Sequence, residues 1–143
     1  MVDRFEGFAG GAVLLREGVR QATVEDCLAL APVSEVGGYR RQSFFTQGQQ
    51  TLFLRCWSEA GSNDFAVGHC APGPNAFVNC YADNAQGPSG PLESWASGVL
   101  FDNVRIDGAD LLLANRWLDP TGAGWSAANC VAYQCQAAQL HCF

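Results

Sequence analysis

One short pattern recurs along this chain and limits what it can fold into. FVNCYA (77–82) is followed by FDNVRI (101–106), so Phe77, Asn79, Cys80 and Ala82 fall on Phe101, Asn103, Val104 and Ile106 at a constant shift of 24 residues. The same columns hold Val24, Asp26, Cys27 and Ala29, then Phe53, Arg55, Cys56 and Ser58. Towards the C-terminus they hold Ala127, Asn129, Cys130 and Ala132. Five copies result, at offsets of 29, 24, 24 and 26 residues. A repeat of about 20 to 50 residues marks a stacked architecture and outranks local helix or strand preferences.

The unit must be β. Val, Phe, Cys and Ala occupy alternate positions, a period of two, and Asn or Asp stands between them in most copies. Asn and Asp tolerate the left-handed backbone that a sharp bend between two short strands requires. Each copy therefore reads as strand, one-residue bend, strand. Stacking the copies sets like residues over like at about 4.8 Å, forming a ladder of Asn and an inward column of thiols at Cys27, Cys56, Cys80 and Cys130. The expected fold is all-β, a right-handed parallel β-helix (solenoid) of about five to six coils, one domain over residues 1–143.

Gly 16 and Pro 6 suit a chain that turns many corners, and apolar residues at 48% suffice for a core. The net charge of −6 and the absence of Lys argue against a nucleic-acid partner, which needs clustered basic residues. They also demand that any groove for an anionic polymer be locally basic. No apolar run approaches the roughly 18 residues of a membrane span, and MVDRFEGFAGG has no signal-peptide pattern.

Seven Cys is an odd number, so at least one thiol is unpaired within the chain. The inward cysteines read as small buried hydrophobes. The alternatives are coil-to-coil disulfides, which strand spacing permits, or zinc, for which no CxxC or HxxxH pair exists. No cofactor is expected; calcium is the one further ion to weigh, and no motif supports it.

Between the repeats lie GGYRRQSFFTQGQ (37–49), GSNDFAVGHCAPGPNAF (61–77), SGPLESWASGVLFDN (89–103) and ANRWLDPTGAGWSAANC (114–130). GSNDF, APGPNAF, NAQGPSGPLESWASG and NRWLDPTGAGW read as corner loops, where a rigid stack keeps its chemistry. Arg40 and Arg41 are adjacent, so a bend or a groove-facing position suits them better than a buried strand.

In this order and spacing, over roughly residues 37 to 135, the chain resembles the C-terminal coils of the pectate-lyase-like, right-handed parallel β-helix family of bacterial carbohydrate-active proteins. Those members carry GGRR with GQ, GRHDF with GPN downstream, GPHHRWATG leading into LYDN, and NRG with GHGWAGAN. The chain departs from them where His-His-Arg is Leu92, Glu93 and Ser94, where Arg-His is Ser62 and Asn63, and where a His is Ala123.

The resemblance implies a carbohydrate-active, lyase-like protein acting on uronate-containing polysaccharide, with an extracellular or periplasmic location. The alternative is a non-catalytic carbohydrate-binding or structural β-helix that kept the scaffold and lost the chemistry. Candidate catalytic residues are Arg40, Arg41, Asp64 and Arg116, the arginines neutralising the uronate carboxylate. Tyr39, His69, Glu93, Trp95, Asn115 and Trp125 are candidates for substrate binding, with Tyr39 or His69 as the base. Hydrolysis would instead pair Asp64 with Glu93.

Each has a plainer reading. Asn115 and Arg116 can staple a loop, His69 can be a surface residue, Asp64 can cap a turn, and Trp95, Trp117 and Trp125 can pack over strand ends. An open stack exposes apolar faces and strand edges, and neither AVLL (12–15) nor AAQLHCF (137–143) reads as a polar cap. The chain is accordingly expected to be a section of a longer solenoid, partnered by further coils or a capping domain.

Overall fold

The computed structural model describes residues 3–117 and 124–143. In chain order the strands are β1 (Asp3–Glu6), β2 (Gly11–Leu15), β3 (Thr23–Glu25), β4 (Cys27–Leu30), β5 (Gln42–Thr46) and β6 (Thr51–Leu54). They continue as β7 (Trp57–Glu59), β8 (Asn63–Val67), β9 (Asn75–Val78), β10 (Tyr81–Asp83), β11 (Gly90–Pro91) and β12 (Ala96–Ser97). The last are β13 (Val99–Asp102), β14 (Arg105–Ile106), β15 (Leu111–Leu112), β16 (Ala127–Ala128), β17 (Val131–Tyr133) and β18 (Leu140–His141). Among the described residues there is no helix.

Every strand pairing is parallel, and the chain visits the sheets in rotation. One sheet runs β1-β4-β7-β10-β14, a second β2-β5-β8-β11 and a third β3-β6-β9-β13-β17; β12-β16 and β15-β18 form two further pairs. In the third sheet Val24 lies opposite Phe53, Phe53 opposite Phe77, and Phe77 opposite Phe101. In the first sheet Ala29 lies opposite Ser58, Ser58 opposite Ala82, and Ala82 opposite Ile106. These are the columns that the repeat predicts.

Alternation drives this packing. Strands β4, β6 and β9 bury every second residue: Cys27 and Ala29, Thr51 and Phe53, Asn75 and Phe77. Phe53, Phe77 and Phe101 stack face to face with ring centroids 4.8 and 5.1 Å apart, the spacing of neighbouring strands. Phe44 and Phe65 form a second stack at 5.8 Å from the second sheet, and Phe44 meets Phe53 edge-on. The two stacks therefore close the space between the sheets with offset and edge contacts that suit aromatic quadrupoles.

The bends are left-handed and repeat in columns. Asp26, Arg55, Asn79 and Asn103 have φ of 55°, 53°, 54° and 52°. Asn103 Nδ2 donates to Asn79 Oδ1 at 2.7 Å, and Arg55 Nε donates to Asp26 Oδ1 at 2.6 Å. A second column, Gly7, Ala31, Ala60, Asn84 and Gly108, turns the chain out of the first sheet with φ between 48° and 98°.

The last copy sits in a different register from the expected one. Ala132, not Ala127, lies opposite Phe101, and Ala127 lies opposite Ala96, so the final offset is 31 residues rather than 26. The bend after Phe101's neighbour in the stack is Gln134, at φ 53°, while Asn129, at φ 51°, follows β16 as Gly98 follows β12. Cys135 consequently takes the place assigned to Cys130, and Asn129 is not part of the Asn79–Asn103 ladder. Two successive stretches, Ala127–Ala132 and Ala132–Ala137, share the same small-x-bend-Cys-x-small pattern five positions apart. Only strand pairing distinguishes them.

All seven cysteines are free thiols. Cys27, Cys56 and Cys80 are buried in the core. Contact with the Cys56 thiol and burial together push the Cys80 thiol up from its ordinary value, so it stays protonated and packs as a small hydrophobe.

Candidate functional site

The outer face of the second sheet carries neighbouring cavities lined by several of the candidate residues. Adjacent aromatics on a strand point to opposite faces, so with Phe44 in the core, Phe45 of β5 faces out. There it packs with Leu14, Ala66 and Leu92 in an apolar cluster apart from the main core. Around this floor stand the polar residues of the corners. A cavity of about 260 Å³ is lined by Tyr39, Arg40, Gln42, Asn63, Glu93 and Arg116, with Gly37, Gly38 and Gln86–Pro88 at its edge. A second, of about 380 Å³, shares Tyr39 and Gln42 with it and adds Arg16, Phe45 and His69. His69 also lines a third, of about 170 Å³, with Arg20, Gln47 and Gln49. Tyr39 and Gln42 thus stand between the first two cavities, and His69 between the second and third.

Local geometry places these side chains. Gly37 and Gly38 have positive φ and make the turn in which Arg40 Nε donates to Gly37 O at 2.8 Å. That bond fixes the guanidinium at the cavity. Tyr39, at φ 60°, is held out of the turn and is 55% exposed. His69 and Cys70 carry the chain out of β8 with φ of 52° and 56°. The same left-handed backbone recurs at the ordinary bends of the stack, Arg55 and Gln134 among them.

Glu93 is the least expected member. It is only 4% exposed, yet neither carboxylate oxygen has a hydrogen-bond partner among the described residues. Oε2 does lie 2.6 Å from His69 Nε2, an ion-pair separation without hydrogen-bond alignment. Gly68 makes room for the pair: a Cβ there would come 2.5 Å from Glu93 Oε2 and 2.9 Å from Phe45 Cζ.

Four of the residues singled out from sequence thus surround one cavity: Tyr39, Arg40, Glu93 and Arg116. His69 joins them from the next. The others lie elsewhere. Arg41 Nε donates to Ser34 O at 2.5 Å and its Nη1 to Ala60 O at 3.4 Å, so it braces the long loop before β5. Asp64 belongs to β8 rather than to a corner loop and is fully buried. Its Oδ1 accepts hydrogen bonds from Ser43 and Ser58, at 3.2 Å from Ser43, and its carboxyl is pushed up to about 6, chiefly by burial. An Asp64–Glu93 pair astride a glycosidic bond is excluded by this placement.

Asn115 Oδ1 accepts from Trp117 N at 2.9 Å, a loop staple. Trp95 and Trp125 sit beside each other through Trp95 N to Trp125 O, 3.3 Å, and are exposed; Trp125 lines a separate cavity with Cys130, Cys142 and Phe143. Ala123 and its neighbours in 118–123 lie outside the described residues.

Sequence reasoning missed Gln42, Phe45 and Leu92 as parts of the groove. The Phe44–Phe45 pair was the available signal, since one of two adjacent strand aromatics must leave the core. Among the described residues no group of three or more His, Cys, Asp or Glu could hold a metal ion. No family model, curated protein or solved structure matches the chain.

Proposed function

We propose that the chain is a right-handed parallel β-helix whose outer groove binds a uronate-containing polysaccharide and cleaves it by β-elimination. The sheet order supports the fold reading: parallel strands visited in rotation require crossovers of one hand, and such crossovers are right-handed in nearly all proteins. The observation that carries the activity is the meeting of Tyr39, Arg40, Glu93 and Arg116 around one cavity, with His69 entering from the next.

In this reading Arg40 and Arg116 neutralise the uronate carboxylate. That stabilises the charge that develops when the neighbouring C5 proton leaves. His69, held against Glu93, accepts the proton. The C5–H electron pair forms the C4=C5 double bond, the C4–O4 bond breaks, and its electrons stay on O4, which Tyr39 protonates. Atoms and charge balance without water or a metal.

The second reading, a non-catalytic carbohydrate-binding β-helix, is favoured by Leu92. It stands where the resembled family has a His, and its side chain is buried in the apolar floor. Incubation with a panel of uronate polymers, followed by ultraviolet absorbance of the unsaturated product, separates the two. Product release abolished by Arg40→Ala is the expected result; binding without product from any polymer would establish the second reading.

A further inference from the structure

Stacking clamps His69 and Glu93 together from two passes. On one side Leu92 N donates to Val67 O at 2.9 Å, and on the other Cys70 N donates to Ser94 O at 2.7 Å. Between these bonds Glu93 Oε2 lies 2.6 Å from His69 Nε2, in the room that Gly68 leaves. The two side chains differ in access. Both Glu93 oxygens are sealed in the wall, whereas the imidazole is half exposed, meets Phe45 edge-on at 6.5 Å and lines two of the cavities.

A neutral imidazole carries one N–H and one lone pair, and the contact that each nitrogen makes decides which holds the proton. A lone pair on Nε2 would stand 2.6 Å from a carboxylate oxygen with no proton between two acceptors. Among the described residues nothing else donates to that carboxylate, so a donor at Nε2 is what offsets its burial. The proton therefore belongs on Nε2 and the basic lone pair on Nδ1. Aligning the N–H on Oε2 requires a rotation of the exposed ring, which the carboxylate fixed in the wall directs.

Resting on the lyase reading above, we propose that Glu93 is a positioning residue for His69. It fixes the ring as the Nε2–H tautomer and leaves Nδ1 as the atom that accepts the C5 proton, while touching no substrate itself. The imidazolium formed when Nδ1 takes that proton is balanced by the carboxylate beside it.

The test has two readouts on the intact chain. Long-range proton–nitrogen correlation NMR reports the His69 tautomer without substrate. The chain has two His, and the His141→Gln variant assigns their signals. At a pH where the ring is neutral, wild type should show Nε2–H as the dominant form. Glu93→Gln, whose amide donates as well as accepts, should show a mixture, and Glu93→Asp should keep Nε2–H. Turnover, read by ultraviolet absorbance of the unsaturated product, should fall at least about tenfold in Glu93→Gln with KM changed less than about threefold, because the residue acts on proton transfer and not on binding. Glu93→Asp should recover part of the loss. Circular dichroism reports any loss of fold, and the wild-type tautomer is decisive even if a variant fails to fold. Nδ1–H or an even mixture in wild type would overturn the inference and leave the polysaccharide reading intact, as would unchanged turnover in folded Glu93→Gln. An Nε2–H tautomer that Glu93→Gln loses, with no product from any uronate polymer, would uphold the hold of Glu93 on His69 and overturn the lyase reading.

Discussion

On β8, Asp64 Oδ1 accepts hydrogen bonds from Ser43 and Ser58 while Oδ2 is buried with no partner among the described residues. Burial disfavours the charged form more than the two hydroxyls favour it, so the carboxyl titrates at about 6 instead of the ordinary 3.8. The folded state therefore binds this proton more tightly than the unfolded state. The stability it contributes is full below about 3.8 and is lost as the pH rises through about 6. The shift corresponds to about 3 kcal/mol. The difference in unfolding free energy between wild type and Asp64→Asn should change by about that amount between pH 3.5 and pH 7.5, the wild type losing ground at the higher pH. Urea unfolding at the two pH values measures it, and a pH-independent difference would show that Asp64 is not the titrating group.

At the scale of the element, the bend column decides how successive strands are joined. Asn103 combines a φ of 52° with the 2.7 Å hydrogen bond from its Nδ2 to Asn79 Oδ1. Asn103→Val removes the bond and places a β-branched side chain in left-handed backbone, which should cost about 1 to 3 kcal/mol. A loss below about 0.5 kcal/mol in denaturant unfolding would count against the ladder. Asn129→Val removes no ladder bond, since Asn129 stands in the bend after β16. The Asn79–Asn103 step was legible because both copies share residue types and a constant 24-residue shift. The last copy was not, because two patterns five positions apart satisfy the same local rules, and only pairing with β13 selects Ala132 over Ala127.

Over the whole molecule, the inner strands of each larger sheet pair with a strand on both sides, and the buried apolar residues gather in one main cluster running from Cys27 to Leu111. The fully buried side chains concentrate in the middle passes, at Phe44, Phe53, Phe65, Phe77 and Phe101, while β1, β17 and β18 hold no buried residue. Amide hydrogen exchange should therefore be slowest in β5, β6, β8 and β9 and fastest in β1, β17 and β18. Uniform protection across all strands would show that the chain opens as a single cooperative unit.

Periodicity alone determined the β class, the parallel stacking of the Val24, Phe53, Phe77 and Phe101 column and the left-handed bends, because like residues at a fixed shift satisfy the same local backbone rule in every copy. The resemblance, with the chemistry that a lyase needs, nominated Tyr39, Arg40, Glu93 and Arg116. Only the tertiary structure decided which nominees share a cavity. Loop residues far apart in sequence are brought together by the stacking of passes, and whether a side chain faces the groove or the interior turns on a single step along a strand. Asp64, on β8, went inward to Ser43 and Ser58; Arg41, next to Arg40, turned away to brace Ser34 and Ala60. Glu93 acquired its place opposite His69 because Gly68, with no side chain, leaves the carboxylate room against Phe45.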